Sequence, residues 1–151
     1  MALILDTGPL LAALDQADRD HGRCARLLTD TQEDLIVPGL VLAELDYWCS
    51  KRLGDHVWTA FLDDLLAGAY RLEHPSIADL LRCRTLQETY SDLGLGVVDA
   101  SLIALTERLG EDKIATLDHR HFSVVRPAHV PALRLLPGRA GGMVSGGPGR
   151  L

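Results

Sequence analysis

The fold is decided by the stretch Met1-Ala2-Leu3-Ile4-Leu5-Asp6-Thr7-Gly8-Pro9-Leu10-Leu11-Ala12-Ala13-Leu14. Ala2 to Leu5 is a short apolar run without alternation, closed by turn residues, which predicts a strand buried on both faces of a parallel sheet. Asp6 ends the run. Thr7-Gly8-Pro9 turns the chain into an apolar helical start, with Pro9 suited to a first helical position. Ligands of open α/β sheets bind beyond the carboxyl ends of the strands, so Asp6 is a carboxylate at the expected active edge. The competing reading makes it a helix cap.

The same grammar recurs along the chain. Leu35-Ile36-Val37 predicts a second strand, stopped by Pro38-Gly39, followed by helices over 40–51 and 57–66. Ala69 to Leu72 predicts a third strand. Pro75-Ser76 opens a long amphipathic helix with Ile77, Leu80, Leu81 and Leu86 inward and Arg82, Arg84 and Glu88 outward. Val97 to Leu109 is a strongly apolar helix capped by Gly110. Lys113 to Leu117 is the next strand, closed by Asp118, and Ala132 to Leu136 the last. Strand and helix alternate, which predicts a three-layer α/β/α fold with a central, mainly parallel sheet, in one domain over residues 1–137. Gly138 to Leu151 holds six glycines and is expected to be a flexible tail.

With 151 residues, the chain has enough length for one proper core, and 47% hydrophobic with 24% charged residues is ordinary for a soluble globular protein. No apolar run approaches a membrane span, and no signal peptide is evident. Cys24, Cys49 and Cys83 form no paired motif and read as core residues of a reduced, cytoplasmic protein. A net charge of −6 argues against holding nucleic acid by bulk positive field, though not against basic contacts around an acidic centre, for which Arg19, Arg23, Arg26 and Lys51-Arg52 are candidates.

Two further carboxylates are unusual in their helices. Glu44 has Leu40, Val41, Tyr47 and Trp48 three and four positions away, on one face, where a charge is costly unless answered. Pairing with Arg or Lys is the plain alternative. Asp99 has Leu102 and Ile103 on its face; an N-cap is its alternative, but Leu102 stands where a capping box needs Glu or Gln. Together, Asp6 and Asp118 at strand ends and Glu44 and Asp99 on helices form a set that would repel unless a cation compensates. Hard oxygen donors favour Mg²⁺ or Mn²⁺. Such an ion promotes phosphodiester hydrolysis. His119 and His121 form a minor candidate pair on an extended segment.

Leu5-Asp6-Thr7, Leu42-Ala43-Glu44-Leu45, Val98-Asp99-Ala100 and Thr116-Leu117-Asp118-His119-Arg120-His121-Phe122 resemble the PIN-domain ribonucleases, and the length resembles the VapC-like toxins of bacterial toxin–antitoxin pairs. The resemblance implies an Mg²⁺- or Mn²⁺-dependent endoribonuclease, with Asp6, Glu44, Asp99 and Asp118 as the metal-binding and catalytic set. Within it, Asp6 and Asp99 are the firmest ligands, and Thr7 and Thr116 are supporting hydroxyls. It also implies an RNA substrate, a cognate antitoxin and a homodimer, with the apolar helices between Leu40 and Leu66 as a dimer face or antitoxin groove. His119-Arg120-His121 departs from the family pattern, which often has another acidic residue there. Two other readings stand beside it: a non-catalytic module binding a metal or a partner's arginine, and a phosphatase with Asp6 as nucleophile. The second lacks an aspartate two positions on, where Gly8 stands.

Overall fold

A computed structural model describes residues 1–139. Five strands form one sheet: β1 (Ala2–Leu5), β2 (Asp34–Pro38), β3 (Arg71–Glu73), β4 (Lys113–Ala115) and β5 (Arg134–Leu136), in the order β3-β2-β1-β4-β5. All four pairings are parallel, with Ile4 opposite both Ile36 and Ile114. The expectation of a mainly parallel sheet is thus met in full. Helices α1 (Thr7–Leu14), α2 (His21–Asp30), α3 (Gly39–Arg52), α4 (Asp55–Leu66), α5 (Ile77–Thr89), α6 (Val97–Leu109) and α7 (His119–Val124) flank it in α/β/α layers.

Burial follows from the apolar runs. β1 is buried at every position, and Ile36, Val37, Ile114 and Ala115 are inaccessible; each large aliphatic side chain so placed contributes about 1.5–3 kcal/mol. Ala100 to Thr106 of α6 is buried without interruption, so this helix reads as apolar all round because it has no solvent face there. Gly110 ends it with φ of 69°, a left-handed C-cap that a side chain would strain. Cys24, Cys49 and Cys83 are free and buried.

Three expectations are corrected. The inner face of α5 is Asp79, Cys83 and Leu86, while Ile77, Leu80 and Leu81 are exposed. The helix is rotated because α6 presents Arg108 and Glu107: Arg108 bonds Asp79 at 2.9 Å, and Arg82, expected outward, makes two 2.9 Å bonds to Glu107. Asp79 also completes a capping box with Ser76. Pro9 is the third helical residue, not the first, since α1 begins at Thr7 behind Asp6; its missing N–H still falls in the first turn, where no partner is lost. Several boundaries also shift: β3 starts at Arg71, β4 ends at Ala115 and β5 starts at Arg134.

Among the described residues no helix is long and apolar enough to cross a membrane. Arg23 donates to the Gly138 carbonyl at 2.7 Å. The rest of the expected tail, residues 140–151, lies outside the described residues.

Candidate metal centre

In the strand order β3-β2-β1-β4-β5 the connections leave β1 in one direction and return to its other side at β4. The crevice beyond the carboxyl ends of these two strands is the topological switch point. Asp6 and Asp118 leave the sheet there. The Asp6 amide still bonds the Ala115 carbonyl at 2.9 Å, so the first carboxylate is locked to β4 by backbone.

Asp6 is a helix cap that also lies at the strand-end edge. It caps α1, with Oδ1 accepting from the Thr7 amide at 2.8 Å, and it faces the crevice, with Oδ2 accepting from the Thr116 hydroxyl at 2.8 Å. Burial pushes its carboxyl up from 3.8 to about 6; the Thr116 and Thr7 hydrogen bonds oppose this, and the nearby Asp99 and Glu44 charges add to it. Thr116 is inaccessible and serves two partners, since its hydroxyl also accepts from the Asp118 amide at 3.0 Å. Thr7 reaches outward from α1, donating to Glu44 Oε1 at 2.8 Å. One hydroxyl therefore ties β1 to the β4 end, and another ties α1 to α3.

Glu44 is half-buried on α3, beside the inaccessible Val41 but with Tyr47 and Trp48 exposed. Its surroundings are less apolar than the three-and-four spacing implied. Asp99 is not an N-cap: Gly96 occupies that position, and Asp99 sits third in α6. Its Oδ2 lies 2.8 Å from His121 Nδ1. Burial raises the Asp99 carboxyl above its usual range; the His121 hydrogen bond opposes this, and Asp118 and Glu44 add repulsion.

The segment after Asp118 is helical, which corrects the extended reading of His119 and His121. Asp118 caps α7, its Oδ1 accepting from the Arg120 and His121 amides at 3.1 and 3.2 Å. The i, i+3 spacing places Asp118 and His121 on one face, and His119 is not part of the group they form with Asp99. His121 Nδ1 lies 2.9 Å from Asp118 Oδ2. Asp99, Asp118 and His121 each offer one ligand atom, and these atoms lie within 4.8 Å of one another. Sequence reasoning paired His121 with His119 and not with Asp99 and Asp118. The signal was the Asp-x-x-His spacing behind a capping aspartate.

The donor set fits a divalent cation. Among the described residues, no Lys or Arg forms an ion pair with Asp6, Glu44, Asp99 or Asp118, while Asp6 and Asp99 both carry raised carboxyls in a shared, repulsive neighbourhood. The Arg or Lys partner considered for Glu44 is therefore not found. Thr7 is its hydrogen-bond donor.

Comparison with known proteins identifies the family. Residues 3–126 match the PIN domain family. The chain is 35% identical over 125 residues to Ribonuclease VapC26 of Mycobacterium tuberculosis, covering 83% of this chain and 93% of that protein. The fold is similar to the crystal structure of M. tuberculosis VapC20, described as a sarcin-ricin loop cleaving toxin, with a TM-score of 0.76, 21% identity and coverage of 85% and 98%. DNA-bound VapBC from Salmonella typhimurium matches with a TM-score of 0.64, 15% identity and coverage of 89% and 96%. A carboxylate-lined switch point in a parallel α/β sheet, matched by a family over most of its length, gives one conclusion: the chain belongs to the PIN domain family.

Proposed function

We propose that this chain is a divalent-metal-dependent endoribonuclease acting as the toxin of a toxin–antitoxin pair. The observation that carries the proposal is the convergence of Asp6, Glu44, Asp99 and Asp118 without a Lys or Arg partner among the described residues, in a chain 35% identical to a ribonuclease. The four carboxylates hold Mg²⁺ or Mn²⁺, directly or through water. When bound, the ion supplies Lewis acidity toward a phosphodiester and makes water a better nucleophile.

The chain's own residues do the remaining work. The Thr116 hydroxyl orients Asp6 Oδ2 and limits the raised affinity of that carboxylate for a proton, keeping it available as an oxygen ligand. Thr7 occupies Glu44 Oε1, which leaves Oε2 to accept a hydrogen from an attacking water. Hydrolysis proceeds without a covalent enzyme intermediate, and Gly8 stands where the phosphatase reading needs a second aspartate.

The exposed Tyr47 and Trp48 of α3 and Leu66 of α4, and the exposed Ile77, Leu80 and Leu81 of α5, are the apolar surfaces we assign to the antitoxin and to a second copy of the chain. Arg52 covers the Trp48 ring at 4.8 Å and Lys51 the Tyr47 ring at 5.7 Å, so this surface is basic as well as aromatic and suits an acidic, apolar partner segment.

The test incubates the purified chain with structured cellular RNAs, with Mn²⁺ or Mg²⁺ and with chelator. Cleavage is expected only with metal, and Asp99→Asn is expected to abolish it with an unchanged circular dichroism spectrum. Full cleavage by that variant overturns the assignment. Metal-independent RNA binding without cleavage would favour the binding-module reading.

A further inference from the structure

The oxygen set alone leaves one member of the centre unexplained. His121 is not part of the carboxylate quartet, yet its Nδ1 lies 2.8 Å from Asp99 Oδ2 and 2.9 Å from Asp118 Oδ2. Both carboxylates converge on one nitrogen atom. The arrangement is built from several directions. Asp118 Oδ1 is held by the Arg120 and His121 amides, so its Oδ2 is left toward the ring. Phe122, the next residue, is 1% exposed and anchors α7 in the core, and the ring of His121 is itself only 18% exposed.

The spacing matches that of a metal ligand set. In octahedral coordination with bonds of 2.0–2.1 Å, neighbouring ligand atoms are about 3 Å apart. Both measured separations from Nδ1 fall close to that edge. The space between the ring nitrogen and the two carboxylates is therefore the one that a cation would take.

We infer that His121 Nδ1 is a metal ligand, completing a two-carboxylate, one-imidazole set with Asp99 and Asp118, and that this nitrogen makes the centre select Mn²⁺ over Mg²⁺. The selectivity follows from ligand chemistry. Mg²⁺ holds to oxygen and sheds water reluctantly, whereas Mn²⁺ shares its liking for carboxylates but, as the first member of the transition series, tolerates a nitrogen ligand better. The inference rests on the metal-centre reading above but does not depend on RNA cleavage.

Pulsed electron paramagnetic resonance of the Mn²⁺-loaded full chain, together with calorimetric titration of Mn²⁺ and Mg²⁺, tests it. The parent is expected to show hyperfine coupling to a directly bound nitrogen. His121→Asp is expected to lose that coupling, keep its affinity for Mg²⁺ and lose roughly tenfold or more of the preference for Mn²⁺. His121→Gln, which keeps a hydrogen-bond donor near the carboxylates, separates ligation from simple positioning, because loss of the Mn²⁺ preference in this variant also supports the inference. Absence of nitrogen coupling in the parent overturns it, as does retention of the coupling in His121→Asp or of the full preference in His121→Gln. If the variants fail to fold, the parent spectrum decides alone. Nitrogen coupling without RNA cleavage leaves the ligand assignment standing and removes the nuclease reading; cleavage without the coupling does the reverse.

Discussion

Asp6→Asn separates what the centre costs the fold from what it provides for chemistry. The Asp6 carboxyl is 8% exposed, and burial lifts it from 3.8 to about 6. Because the folded value lies above the unfolded one, the folded chain holds more protons between these values. Stability therefore falls as pH rises from about 4 to about 6 and stays reduced above that window. The gap between 3.8 and about 6 corresponds to about 3 kcal/mol of lost stability at neutral pH. Asparagine removes the charge and keeps an acceptor for the Thr7 amide, but turns a donor toward the Thr116 hydroxyl, which loses a hydrogen bond worth about 1 kcal/mol. In chelator, the variant is expected to be about 2 kcal/mol more stable than its parent at about pH 8 and to have no advantage below about pH 4. Urea unfolding followed by circular dichroism at the two pH values measures this. Added Mn²⁺ is expected to reverse the order, because an ion bound only by the folded parent stabilises it by mass action. A variant no more stable than its parent at about pH 8, or one whose advantage does not change with pH, refutes the reasoning.

Thr116→Val leaves both Asp6 Oδ2 and the Asp118 amide without their hydroxyl partner. A stability loss of about 1–3 kcal/mol is expected, with a further rise of the Asp6 carboxyl and a drop of tenfold or so in cleavage; carboxyl titration by nuclear magnetic resonance reads the rise, and Thr116→Ser is expected to restore both properties. Phe122→Ala removes the anchor of a helix only six residues long. It is expected to cost about 3–5 kcal/mol and to weaken Mn²⁺ binding by releasing Asp118 and His121, as seen in paired urea and calorimetric titrations.

The strands were legible where the parallel sheet forces a continuous apolar run, as at Ala2–Leu5 and Leu35–Val37, because both faces are buried and no alternation masks the pattern. The strand-end carboxylates Asp6 and Asp118 followed from the same logic. What escaped was decided by long-range pairing. α5 shows leucines and an isoleucine to solvent because Arg108 and Glu107, on a different helix, draw Asp79 and Arg82 inward; no periodicity within α5 records that. His121 was paired with His119, on a segment read as extended, because a six-residue helix is too short to show a period. Its role depends on Asp99, a residue 22 positions away. Glu44 and Asp99 were picked out for their apolar neighbours, a sound signal for Asp99. For Glu44 it was only half right, with Tyr47 and Trp48 open to solvent.

The sheet order also governs when in the life of a chain the centre comes into being. Asp6 leaves the ribosome with the first helix, whereas Asp118 and His121 emerge only after α6. β1 and β4 are parallel neighbours joined by most of the intervening fold, and parallel partners must wait for their crossover. Until β4 settles beside β1, the Asp6 amide lacks the Ala115 carbonyl, Thr116 cannot steady Asp6, and Asp99 has no imidazole to meet. A chain interrupted before β4 carries Asp6, Glu44 and Asp99 with nothing to unite them. Translation thus withholds the pairing of these residues until β4 and α7 have both been made.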